Sequence, residues 1–226
     1  METWLPMYGR ICEEFGFSEA KDLECARLLA GILGGRCSDC IEHLRRGFPD
    51  SVLVCGSAPS LPDELSQLSG NEYIVAADGA TTSIADAGLE AAVIVTDLDG
   101  IVEDQLAMNA GGTAVFVHAH GDNQRAIHRY ADKFSGPVVG TCQCPPPPGL
   151  SNFGGFTDGD RAACICAELG ARRIFLAGFD FDAPADKAGR SREVKRRKLV
   201  WARAVLDELS REGVQVMRVA DRPAGP

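Results

Sequence analysis

From Ser51 onward the apolar positions fall into short continuous runs, separated by longer stretches with helical spacing. The runs are VLVC (52–55), YIVAA (73–77), AVIVT (92–96), TAVFVHA (113–119), PVVGT (137–141), RIFLAG (173–178) and VQVMRV (214–219). Helices are predicted near 61–68, 81–87, 102–110, 123–134, 159–169 and 191–212. Continuous rather than alternating hydrophobicity marks strands buried on both faces. Strands that alternate with helices predict a doubly wound, mostly parallel, Rossmann-like α/β sheet. Residues 1–48 contain no convincing strand. There Ser18 is placed to cap a helix through EAKDLECARLLAGIL, with Leu23, Ala26, Leu29, Ala30 and Leu33 at helical spacing and Gly34-Gly35 as its stop. The chain thus divides into a helical N-terminal segment, 1–48, and an α/β domain, 49–226.

Composition narrows the classes of function. The net charge of −9 argues against a general nucleic-acid backbone binder, while local basic groups or a bound cation keep small anionic ligands in play. No apolar run approaches the ~20 residues that span a bilayer. The first residues lack the basic start and apolar core of a signal peptide, so a cytoplasmic protein is expected. Nine cysteines include Cys37-Ser-Asp-Cys40, but no second CxxC completes a four-ligand zinc site. They read as reduced, structural thiols.

The chemistry collects at the ends of the strands. VIVTDLDG (93–100) places Asp97 and Asp99 one residue apart after an apolar strand. In extended chain such side chains share a face, roughly 6–7 Å apart, and repel unless one is protonated or a cation lies between them. A turn would also use Asp and Gly. The other strands tip the choice, since Asp78 follows YIVAA, and His118, His120, Asp122 and Asn123 follow TAVFV. In an open parallel sheet, ligands bind beyond the carboxyl ends of the strands. Gly79, Gly100 and Gly121 beside these acids permit tight turns and close backbone approach, and the helix after Asp78, capped by Thr81 or Thr82, would favour a phosphate. Together these features suggest a hard cation held by oxygen ligands, with phosphate as the remaining ligand.

Two further clusters lie downstream. In GGFTDGDRA (154–162), Asp158 or Asp160 serves either as a helix cap or as a site group. Arg161 stands in the first helical turn, against the helix dipole, where a nearby anion would explain it. In SREVKRRKL (191–199), Lys195 and Lys198 are neighbours at i and i+3, fit for a solvated face or for polyphosphate. The loop 141–160 is long, stiffened by Pro145 to Pro148, and carries Phe153 and Phe156, which could stack on a planar ligand. There is no P-loop, kinase signature set, dinucleotide fingerprint or HExxH helix.

The stretches GSAPSL, AADGA, VTDLDG, HAHGDN, GFTDGDRA and GFDF, in this order over roughly residues 50–205, resemble the archaeal 6-hydroxymethyl-7,8-dihydropterin pyrophosphokinase family, distant relatives of thiamin pyrophosphokinases. One departure is Ala58, where that family's first turn usually has a second glycine. The resemblance implies transfer of diphosphate from ATP to a reduced pterin, with release of AMP, in the synthesis of a folate-like carrier such as tetrahydromethanopterin. It implies that Asp97, Asp99 and Asp122 hold Mg²⁺ and that Asp78 completes or orients the metal shell. Asp158 and Asp160 would bind metal or receive the hydroxyl proton. Arg161, Lys195 and Lys198 would neutralise phosphates, with Gly79 lining the nucleotide site. Asn123 and the loop 152–156 would face the pterin or adenine. Thiamin pyrophosphokinase relatives suggest a homodimer. Competing readings are a thiamin pyrophosphokinase, a nucleotide-sugar-dependent glycosyltransferase using the same D-x-D, and a non-catalytic nucleotide-binding module.

Overall fold

A computed structural model of the chain describes residues 3–36, 38–181 and 191–219. Cys37 and the C-terminal DRPAGP stretch lie outside the described residues. Three helices lead: α1 (Trp4–Phe15), α2 (Glu19–Leu33) and α3 (Ser38–Gly47). Then strands and helices alternate: β1 (Ser51–Cys55), α4 (Leu61–Leu65), β2 (Ile74–Ala77), α5 (Ala80–Asp86), β3 (Val93–Thr96), α6 (Val102–Ala110), β4 (Ala114–Ala119), α7 (Gln124–Tyr130), β5 (Val138–Cys142), α8 (Asp158–Leu169), β6 (Arg173–Ala177), α9 (Arg192–Arg211) and β7 (Gln215–Arg218). The expected strands are all present. The helix expected over 61–68 stops at Leu65, and the one over 123–134 ends α7 in a 3₁₀ turn at Ala131–Lys133.

The seven strands form one all-parallel sheet in the order β5-β4-β3-β2-β1-β6-β7. β2, β3, β4 and β5 are buried throughout, as continuous apolar runs require. β7, at the edge, is half-exposed. The chain steps outward from β1 to β5, then returns across the sheet to place β6 beside β1. That return carries α8 over β1, β2 and β3, which brings its first turn towards the tips of the middle strands. Where the winding reverses, Gly56 and Gly178 touch. Gly178 has φ +67°, and a Cβ there would lie 2.3 Å from the Gly56 carbonyl. The Ala58 N–H donates to the Gly178 carbonyl (2.9 Å), so the turn that departs from the family pattern packs on the chain itself.

The N-terminal helices share the core of the sheet. Ser18 caps α2 by accepting from the Lys21 N–H, and Gly34, at φ +56°, ends it. Leu29 and Leu33 are fully buried, and α2 packs on β4 and β5. Burying such side chains stabilises by about 1.5–3 kcal/mol each. The buried face is turned slightly from the expected one, to Asp22, Cys25, Ala26, Leu29 and Leu33, with Leu23 and Ala30 half-buried at its edges. A carboxylate, Asp22, therefore faces inward.

Candidate functional site

Asp78 ends β2 with a left-handed backbone (φ +42°), and Leu98, between Asp97 and Asp99, has φ +67°. These are the two described non-glycine residues with positive φ, and such strain concentrates at functional sites. Asp78 Oδ1 accepts from Thr96 Oγ1 (2.6 Å) and Gln105 Nε2 (3.1 Å). Thr96 Oγ1 also accepts from the Leu98 N–H (2.8 Å), which sets the turn after β3. The glycines of this crest serve close approach. A Cβ on Gly100 would lie 2.9 Å from Asp78 Oδ2, and one on Gly121 2.9 Å from Lys21 Cβ. Gly79 stands at the N-cap of α5.

The fold brings Asp78, Asp97 and Asp158 together, each with a carboxylate oxygen within 4.8 Å of the others. Asp78 and Asp97 come from the tips of β2 and β3, and Asp158 from the first turn of α8. Burial, then the charges of Asp97 and Asp78, push the Asp158 carboxyl well above the usual carboxylate range. Burial and Asp97 also raise Asp78. Burial acts on Asp97 in the same direction, but the hydrogen bond and charge of His120, then Arg161, hold it below the usual value. Three carboxylates this close repel one another when ionised, and a cation among them would relieve that repulsion. An all-oxygen donor set of this kind suits a hard divalent cation such as Mg²⁺.

Four buried side-chain polar atoms lack a partner among the described residues: Thr81 Oγ1, Gln105 Oε1, His118 Nε2 and Arg161 Nε. All four belong to this crest. Thr81 opens α5 behind Asp78, Gln105 bonds Asp78, His118 ends β4, and Arg161 pairs with Asp158. Buried polar groups are ordinarily satisfied, so these four beside the grouped acids single out the crest as the candidate site.

The other expected site residues separate into those near the acids and those that support them. Asp99 and Asp122 are exposed at the rim and do not join a group of three acids among the described residues. Asn123 Nδ2 donates to the Asp97 carbonyl (2.8 Å) and to the His118 carbonyl (2.7 Å), tying the tips of β3 and β4. His120 Nε2 lies 3.4 Å from Asp97 Oδ2. Of the two acids in the first turn of α8, Asp160 forms the capping box. Its carboxylate accepts from the Phe156 N–H (2.6 Å), the Thr157 N–H (2.8 Å) and the Thr157 hydroxyl. Arg161 finds its anion in Asp158, at 2.8 Å, and also donates to the Gly155 and Phe156 carbonyls. Lys198 Nζ lies over the Phe156 ring (5.5 Å) and near Phe17 (5.9 Å). Lys195 is half-buried one turn before it on α9.

The aromatic loop differs from expectation. Phe153 is buried edge-on against Phe116, and Phe156 is buried against Phe15 and Phe17. Both rings are occupied by protein, because the loop folds back: the Ser151 N–H donates to the Gly140 carbonyl and Asn152 donates to the Gln143 and Cys144 carbonyls. Gly155 lets it pass Arg161, with φ +90° and a Cβ position 2.3 Å from Arg161 Cα. Gly155→Ala should therefore cost about 2–3 kcal/mol, read as a lowered midpoint in urea unfolding.

His118 Nδ1 lies 3.0 Å from Thr141 Oγ1, whose own hydrogen goes to the Val117 carbonyl, so Nδ1 carries the proton. Burial, then the charges of Arg161 and His120, push His118 well below its ordinary pKa. The folded protein keeps it neutral, whereas the unfolded chain takes up a proton near pH 6.5. Stability is therefore lost as pH falls below about 6.5, by up to about 1.4 kcal/mol per pH unit from this group. Urea unfolding at pH 7.5 and 5.5 should show His118→Asn losing less stability over that interval than the wild type.

A tight group of acids at the strand tips of a parallel α/β sheet is a candidate cation site at its carboxyl edge. Residues 36–186 match the model of the family described as 6-hydroxymethylpterin diphosphokinase MptE-like, and the chain belongs to that family. It is 39% identical over 226 residues to a 6-hydroxymethyl-7,8-dihydropterin pyrophosphokinase of Methanothermobacter thermautotrophicus, covering 94% of this chain and 96% of that one. Proteins of the same name match from Pyrococcus furiosus (38% over 222 residues, 94% and 95% covered) and from Methanocaldococcus jannaschii (33% over 230 residues, 92% and 95% covered).

Proposed function

We propose that the chain transfers the β,γ-diphosphate of ATP to the hydroxymethyl oxygen of 6-hydroxymethyl-7,8-dihydropterin, with Mg²⁺ held by Asp78, Asp97 and Asp158, in the synthesis of a tetrahydromethanopterin- or folate-type carrier. The grouping of those three acids, in a chain of this family, carries the reading. The substrate hydroxyl oxygen forms a bond to the β-phosphorus, the bond from that phosphorus to the α,β-bridging oxygen breaks, and AMP leaves. When bound, Mg²⁺ neutralises phosphate charge and polarises the transferring group.

The protein's own contribution is positioning. Thr96 and Gln105 hold Asp78, His120 and Asn123 hold the Asp97 segment, and Arg161 holds Asp158. Asp160, engaged in the cap, fixes the start of α8, which leaves Asp158 as the acid of that turn for the metal, with the hydroxyl proton passing to solvent. Asp99 and Asp122, exposed at the rim, would take a second cation. Lys195 and Lys198 supply positive charge from α9, and Gly79 lies on the nucleotide side.

Phosphorus NMR of the protein with Mg-ATP and 6-hydroxymethyl-7,8-dihydropterin tests this. Growth of AMP and of a pterin diphosphate signal supports it. ADP would mean that a different bond breaks. Turnover with thiamin in place of the pterin would move the substrate to the thiamin relatives.

A further inference from the structure

We propose that Asp22 is a positioning residue for the metal-holding carboxylates, acting from α2 through the loop between β4 and α7. The inference rests on the reading that Asp78, Asp97 and Asp158 hold a divalent cation. It assigns a role to the N-terminal helices α1 and α2, which precede the residues matched by the family model.

Asp22 is 3% exposed, and its carboxylate accepts three hydrogen bonds. Oδ2 takes the Tyr8 hydroxyl (2.7 Å) from α1 and Gln143 Nε2 (2.8 Å) from the segment after β5. Oδ1 takes the Gly121 N–H (2.7 Å). Trp4 Nε1 donates to the Gln143 carbonyl (2.9 Å), which ties α1 to the same segment. One carboxylate thus joins α1, α2, the end of β5 and the loop that carries His120, Asp122 and Asn123.

The loop is seated on α2 without slack. A Cβ on Gly121 would lie 2.9 Å from Lys21 Cβ and 3.2 Å from Asp22 Oδ1. Cys25, one turn along α2, donates from Sγ to Asn123 Oδ1 (3.3 Å), and that oxygen also accepts from the His120 N–H (3.0 Å). From this loop, Asn123 grips the Asp97 carbonyl and His120 reaches the Asp97 carboxylate. The path from Asp22 to Asp97 is Gly121, then its neighbours His120 and Asn123, with direct contacts at each end. All three groups facing Asp22 are donors. An asparagine there would turn its own NH₂ towards either the Gly121 N–H or the Tyr8 and Gln143 donors, leaving a buried donor unmet.

The test uses the full chain. Mn²⁺ binding is titrated by electron paramagnetic resonance, and turnover is followed separately. Asp22→Asn should stay folded by circular dichroism yet bind Mn²⁺ on the order of 10-fold more weakly, with a comparable fall in kcat. Ile11→Val, a small core loss on α1 that removes none of the hydrogen bonds to Asp22, should leave Mn²⁺ affinity within twofold even where its melting temperature falls. Should Asp22→Asn not fold, Gly121→Ala decides, since it lifts the loop from α2 and substitutes no carboxylate; its Mn²⁺ affinity should fall likewise.

A folded variant with wild-type Mn²⁺ affinity and kcat overturns the proposal, as does an Ile11→Val protein that loses as much affinity as Asp22→Asn. If both loop variants unfold, Asp22 serves stability alone and the proposal is overturned too. A wild type that binds Mn²⁺ without making pterin diphosphate refutes the proposed reaction, while the Mn²⁺ comparison still decides the role of Asp22. A wild type that binds no Mn²⁺ removes the cation reading itself.

Discussion

Asp97→Asn should lower turnover by on the order of 10³-fold while leaving the fold intact. Metal stabilisation of a transferring phosphoryl group is worth several kcal/mol, and each 1.4 kcal/mol is about tenfold in rate. Of the three grouped acids, Asp97 is the one held below the usual carboxylate range, by His120 and then Arg161, although burial opposes this. It is therefore anionic before any cation arrives. Its side chain is also partly exposed and its backbone carbonyl, gripped by Asn123, survives the substitution. Because His120 and Arg161 hold Asp97 below the usual range, its charge favours the fold, and the substitution should lower thermal stability modestly without unfolding the chain. A loss of activity far larger than the small loss of stability would be the signature, read by steady-state AMP release beside a melting curve. Near-normal turnover would remove Asp97 from the metal site.

Arg161→Met should destabilise the protein by about 3–5 kcal/mol, the usual cost of removing one partner of a buried ion pair. Arg161 is 3% exposed, and its guanidinium bonds Asp158, the Gly155 carbonyl and the Phe156 carbonyl. Methionine keeps much of the volume but leaves Asp158 facing Asp78 and Asp97 without its counter-charge, and two carbonyls without their donor. A chain of this size shifts its melting temperature by roughly 2–4 °C per kcal/mol, so a fall of about 10 °C is expected. Adding Asp158→Asn to the variant should restore part of the loss, because the carboxyl crowded against Asp78 and Asp97 goes with it. An additive double variant would mean that Arg161 acts through the carbonyls alone.

The strands were legible because parallel strands buried on both faces must be written as continuous apolar runs, and six or seven such runs have little else they can be. Their order was not. Nothing local in RIFLAG says that it returns to lie beside VLVC, yet that return is what lays α8 over β2 and β3 and delivers Asp158 to Asp78 and Asp97. The acids at strand ends could be read as a set, but not which of them meet. Asp99 and Asp122 share the motifs and face the rim, whereas Asp158, in the first turn of α8 beyond the long loop after β5, meets Asp78 and Asp97.

Asp160 shows how one local pattern can hold two roles. Thr157 followed three residues later by an acid is a capping-box spacing, and the structure uses Asp160 that way. The support around the acids was largely hidden, since Thr96, Gln105 and Gln143 are ordinary polar residues until the chain is folded. Asp22 did leave a trace. It stands at i relative to Cys25, Ala26, Leu29 and Leu33 at i+3, i+4, i+7 and i+11, so it continues the buried stripe of its helix. A charged residue on an apolar stripe needs a partner, and here its partners are Tyr8, Gln143 and the loop bearing His120 and Asn123.

The most direct test of the metal site is a crystal of the protein grown with Mn²⁺ and a non-hydrolysable ATP analogue, with anomalous scattering collected at the manganese edge. The expected result is an anomalous peak in direct coordination with oxygens of Asp78, Asp97 and Asp158, shared with the analogue's phosphates. A peak held only by Asp99 and Asp122 at the rim, or bound analogue with no manganese at the three acids, would contradict it.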